Sequence, residues 1–256
     1  MKGVGRRTAK IAHIAADRII FGSHPLAYPI QIGIQKILGG PKEVTFAFKS
    51  GPASGCRFSC LSSHRYFFVR DDYECKMLEP VQKLIRPGAV AFDIGAHFGF
   101  WALVLSRLVG SIGRIYAFEP SPENRGRLRR NLELNSIHNV EVVPLAASDH
   151  EGMSRLSENG SATRIGAGAV EIATTTLDEF CKDKSVPDFL LMDVEGHAGA
   201  VLCGASAVFD KRRPPLICEI HCEQELEDCE TFLGKKSYHW VRLDKPIRFP
   251  CRIVAT

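Results

Sequence analysis

Two hydrophobic periods alternate along this chain, and each switch between them marks an element. Val90-Ala91-Phe92 with Ile94 is a short apolar run rich in branched and aromatic side chains, which predicts a buried strand. The run breaks into Asp93-Ile94-Gly95-Ala96-His97-Phe98-Gly99, and residues 100–108 then carry an apolar stripe at helical spacing. A strand, a glycine turn and a helix in that order open a nucleotide-binding α/β unit. Further apolar runs predict strands at 113–118, 139–145, 189–192 and 216–221, with helices at 123–135, 199–209 and 224–233. Residues 173–180 start extended and then cap a helix, and 152–168, polar and glycine-rich, predict a hairpin or flexible loop. A strand at 238–243 and a final edge strand at 252–254 close the chain. The expected fold is an alternating α/β sheet of about seven strands.

The first third reads differently. Residues 8–21 predict an amphipathic helix, basic through Lys10 and Arg18 and preceded by Arg6 and Arg7, which packs on the main unit or, in the alternative, rests on a membrane surface. Asp17-Arg18 cuts its apolar stretch too short for a signal peptide. Prolines and glycines punctuate 25–41; strands are expected at 44–48 and 65–70, then a helix carrying Met77, Leu78, Val81, Leu84 and Ile85, ended by Arg86-Pro87-Gly88. The resulting division is an N-terminal helical/β extension over 1–72, covering the cofactor end of a main domain over 73–256.

Composition changes this picture little. A chain of 256 residues with 45% hydrophobic content can bury a full core. The net charge of +4 is too mild to argue for a nucleic-acid partner, and no apolar run reaches the length of a membrane span. Nine scattered cysteines, an odd number, fit reduced thiols in the cytoplasm. Cys56/Cys60 and Cys218/Cys222 lack the tighter zinc-knuckle spacing. With no other clustered ligands apparent, no metal dependence is expected.

The chemistry sits at strand ends. A dinucleotide fold wants G-x-G-x-x-G for its pyrophosphate; here the glycines read G-x-x-x-G, with Asp93 two residues ahead of Gly95. An acid on that turn suits a ligand with a cationic amine, and S-adenosylmethionine carries an ammonium beside its sulfonium. Glu119, ending the second strand before Pro120, follows Asp93 at roughly the interval that separates the first turn from a ribose-binding acid. Ala147 and Asp149 end the third strand, where Asp149 can accept from an adenine amine or serve as an ordinary turn residue. Asp193 and Glu195 end the fourth strand, which places Asp193 opposite Asp93 across the cofactor. On the fifth, Glu219 and His221 share a face, with His221 at the open end as a base, a substrate binder or a hydrogen-bonded structural residue.

In combination these blocks resemble the FkbM family of S-adenosylmethionine-dependent methyltransferases. They run in order as FDIGAHFGF (92–100), IYAFEPSP (115–122), NLELN then NV (131–140), AASDHEG (146–152), TTLDEF (175–180), LMDVEGH (191–197), LCGA (202–205) and RPPLICEIH (213–221). The resemblance implies a class I, Rossmann-like fold: a seven-stranded, mostly parallel sheet with its last strand antiparallel. It implies a cofactor site on Asp93, Gly95, Ala96, His97, Gly99, Glu119, Pro120, Ala147, Asp149, Asp193 and Glu195, with His221 first and Asp193 second as the catalytic base. It further implies O-methylation of a carbohydrate or secondary-metabolite hydroxyl, hence a small-molecule or glycan partner. The chain departs from the family's usual residues at His97, Leu191 and Ala198, where asparagine, lysine and an acid are common. The rivals are a nicotinamide oxidoreductase, disfavoured by the absent G-x-G-x-x-G, and a non-catalytic binding module on the same fold.

Overall fold

The computed structural model describes residues 42–69, 73–159, 162–166, 168–244 and 248–256; the helix expected at 8–21 lies outside them. The chain divides into two compact units, between Tyr73 and Glu74.

In the first unit, β1 (Glu43–Ala47) pairs antiparallel with β2 (Arg57–Leu61). The sequence offered no clean alternation for β2, because Phe58, Ser59 and Cys60 are all buried in succession. The strand expected at 65–70 is instead a helical turn, α1 (Arg65–Phe68). Only Phe68 of its described side chains is fully buried. One turn suffices to lay that ring 4.7 Å from Phe58 and 5.2 Å from Tyr73.

The second unit is a three-layer α/β fold. Its helices are α2 (Cys75–Leu84), α3 (Phe100–Val109), α4 (Pro122–Leu134), α5 (Leu177–Asp183), α6 (Ala198–Cys203), α7 (Ser206–Arg212) and α8 (Glu223–Lys235). The central sheet runs β12 (Trp240–Arg242), β13 (Cys251–Ala255), β11 (Leu216–Ile220), β10 (Phe189–Met192), β3 (Val90–Ile94), β4 (Arg114–Phe118) and β5 (Val140–Val143). Strands β11, β10, β3, β4 and β5 are mutually parallel, while β13 is antiparallel to both its neighbours. Near-continuous burial of β3, β4, β10 and β11 reflects helices on both faces. Phe92, Phe118, Leu190 and Met192 pack with Val201, Phe209 and Leu233 on one face; Ala91, Ile115, Leu191 and Ile217 pack with Val81, Leu105 and Val109 on the other.

Three sequence expectations need correction. The last strand is not at the edge: β13 inserts between β11 and β12, burying Cys251, Ile253 and Ala255, and the three-residue β12 takes the edge. The helix expected at 199–209 breaks in two, because the Asp178 carboxylate accepts from the amides of Ala207 (3.0 Å) and Val208 (2.9 Å) and so caps α7 separately. Lastly, the hairpin of β7 (Gly152–Asn159) and β8 (Ala162–Ile165) does not stand alone. It joins β9 (Val170–Thr175) and β6 (Ala146–Ala147) in a second sheet ordered β6-β9-β7-β8. The two-residue β6 is too short to signal itself.

Candidate active site

Every implied site residue lies at or beyond the carboxyl ends of the central parallel strands, where open α/β sheets bind ligands. They fall into three groups.

The first surrounds the turn after β3. Asp93 is buried at 1% exposure, and its carboxylate accepts the Ala102 amide in the first turn of α3. That bond is the capping role such an aspartate can have without any ligand. Its Oδ2 nevertheless has no hydrogen-bond partner among the described residues. Desolvation, and next the nearby Glu119 charge, raise its pKa from 3.8 to about 7. The amides of Gly95 and Ala96 both donate to the Phe118 carbonyl, at 3.0 and 2.9 Å, which folds the turn over β4. Gly95 has φ +87°, and a Cβ there would meet the Asp193 carbonyl oxygen at 1.9 Å. At Gly99, also φ +87°, a Cβ would strike Leu128 of α4 at 2.2 Å. Its close packing is thus against a helix.

Glu119, expected to meet a ribose, is bound within the chain. Its Oε2 accepts the His97 amide at 2.7 Å, while Oε1 accepts the Ser121 amide at 2.9 Å and the Asn124 side chain at 3.3 Å. Burial raises its pKa against those bonds. His97 stands at φ +50°, a left-handed conformation that asparagine tolerates better than histidine, and that conformation belongs to the turn held by Glu119. The carbonyls of Glu119 and Pro120 accept from Arg125, so α4 fixes this corner as well.

The second group follows β6. Ala147 is buried, Asp149 is exposed, and His150 pairs with Asp149 at 2.7 Å, holding that carboxyl below its usual range. Between them, Ser148 is buried and its Oγ lies 3.2 Å from the Asp149 carboxylate and 3.0 Å from His197 Nε2. Burial lowers the His197 pKa, so at neutral pH the ring is an uncharged partner for Ser148. The contact with His197 was not legible in the sequence, since Ser148 and His197 follow different strands.

The third group gathers beyond β10 and β11. His221 Nε2 lies 3.4 Å from Asp193 Oδ1, 3.5 Å from Glu195 Oε2 and 3.8 Å from Glu219 Oε1. Asp193 therefore faces the histidine group, and Asp93 shares its field with Glu119 instead. Burial alone would lower the His221 pKa; the Glu225 carboxylate beside Nδ1 and the carboxylates of Asp193, Glu195 and Glu219 outweigh it and raise it to about 8. Desolvation and then the like charge of Glu219 push the Asp193 carboxyl well up. Because 46% of that side chain is open to solvent, the crowding of negative charge weighs more here than loss of water.

Sequence reasoning missed the residues that hold this group. Glu225, buried on α8, accepts the Ala198 amide at 2.9 Å through Oε1 and the His221 amide at 2.7 Å through Oε2. Arg252 on β13 sits opposite Glu219 and bridges its Oε2 (2.9 Å) to Glu74 (3.0 Å). The expectation that no metal-ligating side chains cluster also fails, for Asp193, Glu219 and His221 place one donor atom each within 4.8 Å of one another. Glu225→Ala, which orphans two buried amides, is expected to lower stability by about 2 kcal/mol in urea unfolding, and Glu225→Gln by less.

A seven-stranded sheet in this order, with a glycine turn after its central strand and acids on the adjoining strand ends, defines a class I methyltransferase fold. The family profile described as "Methyltransferase FkbM domain" matches residues 93–239, and the chain belongs to that family, whose cofactor is S-adenosyl-L-methionine. Among solved structures, the FkbM methyltransferase of Methylobacillus flagellatus superposes with a TM-score of 0.52 at 18% identity, over 76% of this chain and 54% of that one. A Clostridium thermocellum protein described as a putative rRNA-methylase gives 0.50 at 14% identity, over 69% and 90%. Protein-L-isoaspartate O-methyltransferase of Methanothrix thermoacetophila is 33% identical over 85 residues, 32% of this chain and 40% of that protein. Ribosomal RNA large subunit methyltransferase E of Chromobacterium violaceum is 37% identical over 51 residues, 20% and 25%. The chain thus spans less than half of these curated relatives. The unpartnered, buried Asp93 Oδ2 fits the cofactor, because it can accept from the ammonium of the methionine moiety.

Proposed function

We propose that this protein methylates a hydroxyl group on a carbohydrate or secondary-metabolite acceptor, using S-adenosylmethionine. The observation that carries the reading is the approach of His221 to Asp193, 3.4 Å apart, beyond the strand ends beside the Asp93–Gly95 turn. When bound, the cofactor supplies an electrophilic methyl group on its sulfonium. Asp93 would hold the amino-acid end and Glu119 the ribose, while Asp149, steadied by Ser148, would accept from the adenine amine. Gly95, Ala96, His97, Gly99 and Pro120 shape the cradle, and Ala147 lines its adenine side.

Around the acceptor, the work of the chain is positioning and one proton transfer. Neutral His221 would take the hydroxyl proton through Nε2 as the acceptor oxygen attacks the methyl group that the bound cofactor would supply. With its pKa at about 8, the neutral fraction at pH 7 is about one in ten, enough for a base needed only in the transition state. Asp193 faces the same proton and is the second candidate.

The mild net charge of +4 supports a small-molecule or glycan acceptor over nucleic acid. Nine cysteines without a disulfide among the described residues are consistent with a cytoplasmic setting, and among those residues no helix is long and apolar enough to cross a membrane. Titration calorimetry with S-adenosylhomocysteine tests the cofactor half, and a screen for turnover, beginning with sugars and including RNA and peptides, tests the acceptor half. In His221→Ala, kcat is expected to fall about 10²-fold with S-adenosylhomocysteine affinity kept. Unchanged turnover in that variant would remove His221 as the base, and no binding by the folded wild-type protein would favour a binding module.

A further inference from the structure

We infer that Asp193, Glu219 and His221 form a divalent-cation site at the acceptor end of the fold. Two donors on one ion at about 2.1 Å lie about 3.0 Å apart at right angles and about 3.4 Å apart in a tetrahedron. Among the proposed ligands, His221 Nε2 lies 3.4 Å from Asp193, the tetrahedral separation, and 3.8 Å from Glu219, somewhat wider, with the three donor atoms within 4.8 Å of one another. These Nε2 separations are long for direct hydrogen bonds, which for nitrogen and oxygen centre near 2.9–3.0 Å.

The imidazole distinguishes this group from an ordinary patch of acids. Its side chain is 11% exposed, its backbone amide is anchored on Glu225, and its Nδ1 faces the same carboxylate at 3.6 Å. That arrangement turns Nε2 toward the other acids and supplies the carboxylate that commonly backs a metal-bound histidine. Glu219 is prepared in a similar way: Arg252 occupies Oε2 at 2.9 Å, leaving Oε1 as the atom facing Nε2. Asp193 keeps 46% of its side chain accessible, so an ion there would retain positions for water or an acceptor oxygen.

One nitrogen among carboxylate oxygens suits Mn²⁺ or Zn²⁺ better than Ca²⁺. The bound ion would balance a cluster in which acids outnumber Arg252 and His221 and would hold the acceptor oxygen. With Nε2 on the ion, His221 would no longer be the free base, and the ion would instead acidify the bound hydroxyl, whose proton would pass to solvent. Binding itself is independent of the transferase reading; the role toward the acceptor rests on it.

The test uses the full chain, stripped with chelator, and Mn²⁺ alone as the probe. Electron paramagnetic resonance of free Mn²⁺ is expected to report one site per chain, and spin-echo modulation a single imidazole nitrogen. Asp193→Asn and His221→Ala should each weaken binding at least tenfold and His221→Ala should abolish the nitrogen signal, whereas Glu179→Gln, on α5, should change neither. Absence of a saturable site, or the same affinity and spectrum in the ligand variants, would overturn the proposal in favour of a protonated His221 neutralising the acids by itself. Near-ultraviolet circular dichroism verifies that the variants fold. Calorimetry with S-adenosylhomocysteine on the same preparation separates the two ideas: lost cofactor binding speaks against the transferase reading and leaves the Mn²⁺ result standing.

Discussion

Asp93→Asn is expected to stabilise the cofactor-free protein at pH 8 by about 1–4 kcal/mol while weakening S-adenosylhomocysteine binding at least tenfold. The wild-type carboxyl is buried, one oxygen lacks a partner, and its pKa is raised from 3.8 to about 7. A carboxyl raised in the folded state contributes stability below its unfolded pKa and loses that contribution as pH climbs through its folded one. The full difference is worth about 4 kcal/mol. It is a ceiling, because asparagine keeps only a neutral hydrogen bond to Ala102 in place of a charged one. Urea unfolding at several pH values should show the asparagine advantage growing between about pH 4 and 7 and levelling off above. An equal advantage at pH 5 and pH 8 would mean that ionisation is not its source. The stored cost has a functional reading: a carboxylate short of partners in the free protein gains one when an ammonium arrives. That gain can appear as binding energy.

The same residue shows what a sequence can reveal. The strand, the glycine turn and the helix are contiguous, so Asp93, Gly95 and Gly99 declare themselves by spacing. Glu219 and His221 were legible as a pair on one strand face because alternation is local. Their supports were not. Arg252 reaches Glu219 only because β13 runs antiparallel beside β11 in one particular register, and Glu225 reaches His221 from the first turns of the next helix. Register and helix docking are tertiary facts that leave no mark on local periodicity. The metal-ligand spacing was hidden for the same reason, since its donors come from two strand ends. Misread elements share a cause too: α1 and β2 are short, and burial at each is set by a few aromatic contacts rather than by a repeating pattern.

Gly95→Ala should be severely damaging, costing about 4 kcal/mol or more and removing measurable cofactor binding. Two effects add. Left-handed backbone costs an alanine about 1 kcal/mol. The new Cβ would then sit 1.9 Å from the Asp193 carbonyl oxygen and 2.8 Å from its carbonyl carbon, both main-chain atoms that no rotamer change can move. Relief requires the turn after β3 and the end of β10 to separate. Such a shift would break the Asp193 amide's 2.9 Å bond to the Ile94 carbonyl and pull the Asp193 carboxylate away from His221. Gly196 provides the control, for it also has positive φ, +101°, but a Cβ there meets nothing within 4 Å. Gly196→Ala should therefore cost only the backbone part, about 1 kcal/mol. Thermal and urea unfolding of the two variants side by side separate conformation from contact. Equal losses would show that contact with β10 is not what the turn requires, whereas a larger loss in Gly95→Ala, with cofactor affinity falling in parallel, would tie the cofactor turn mechanically to the acceptor-side acid.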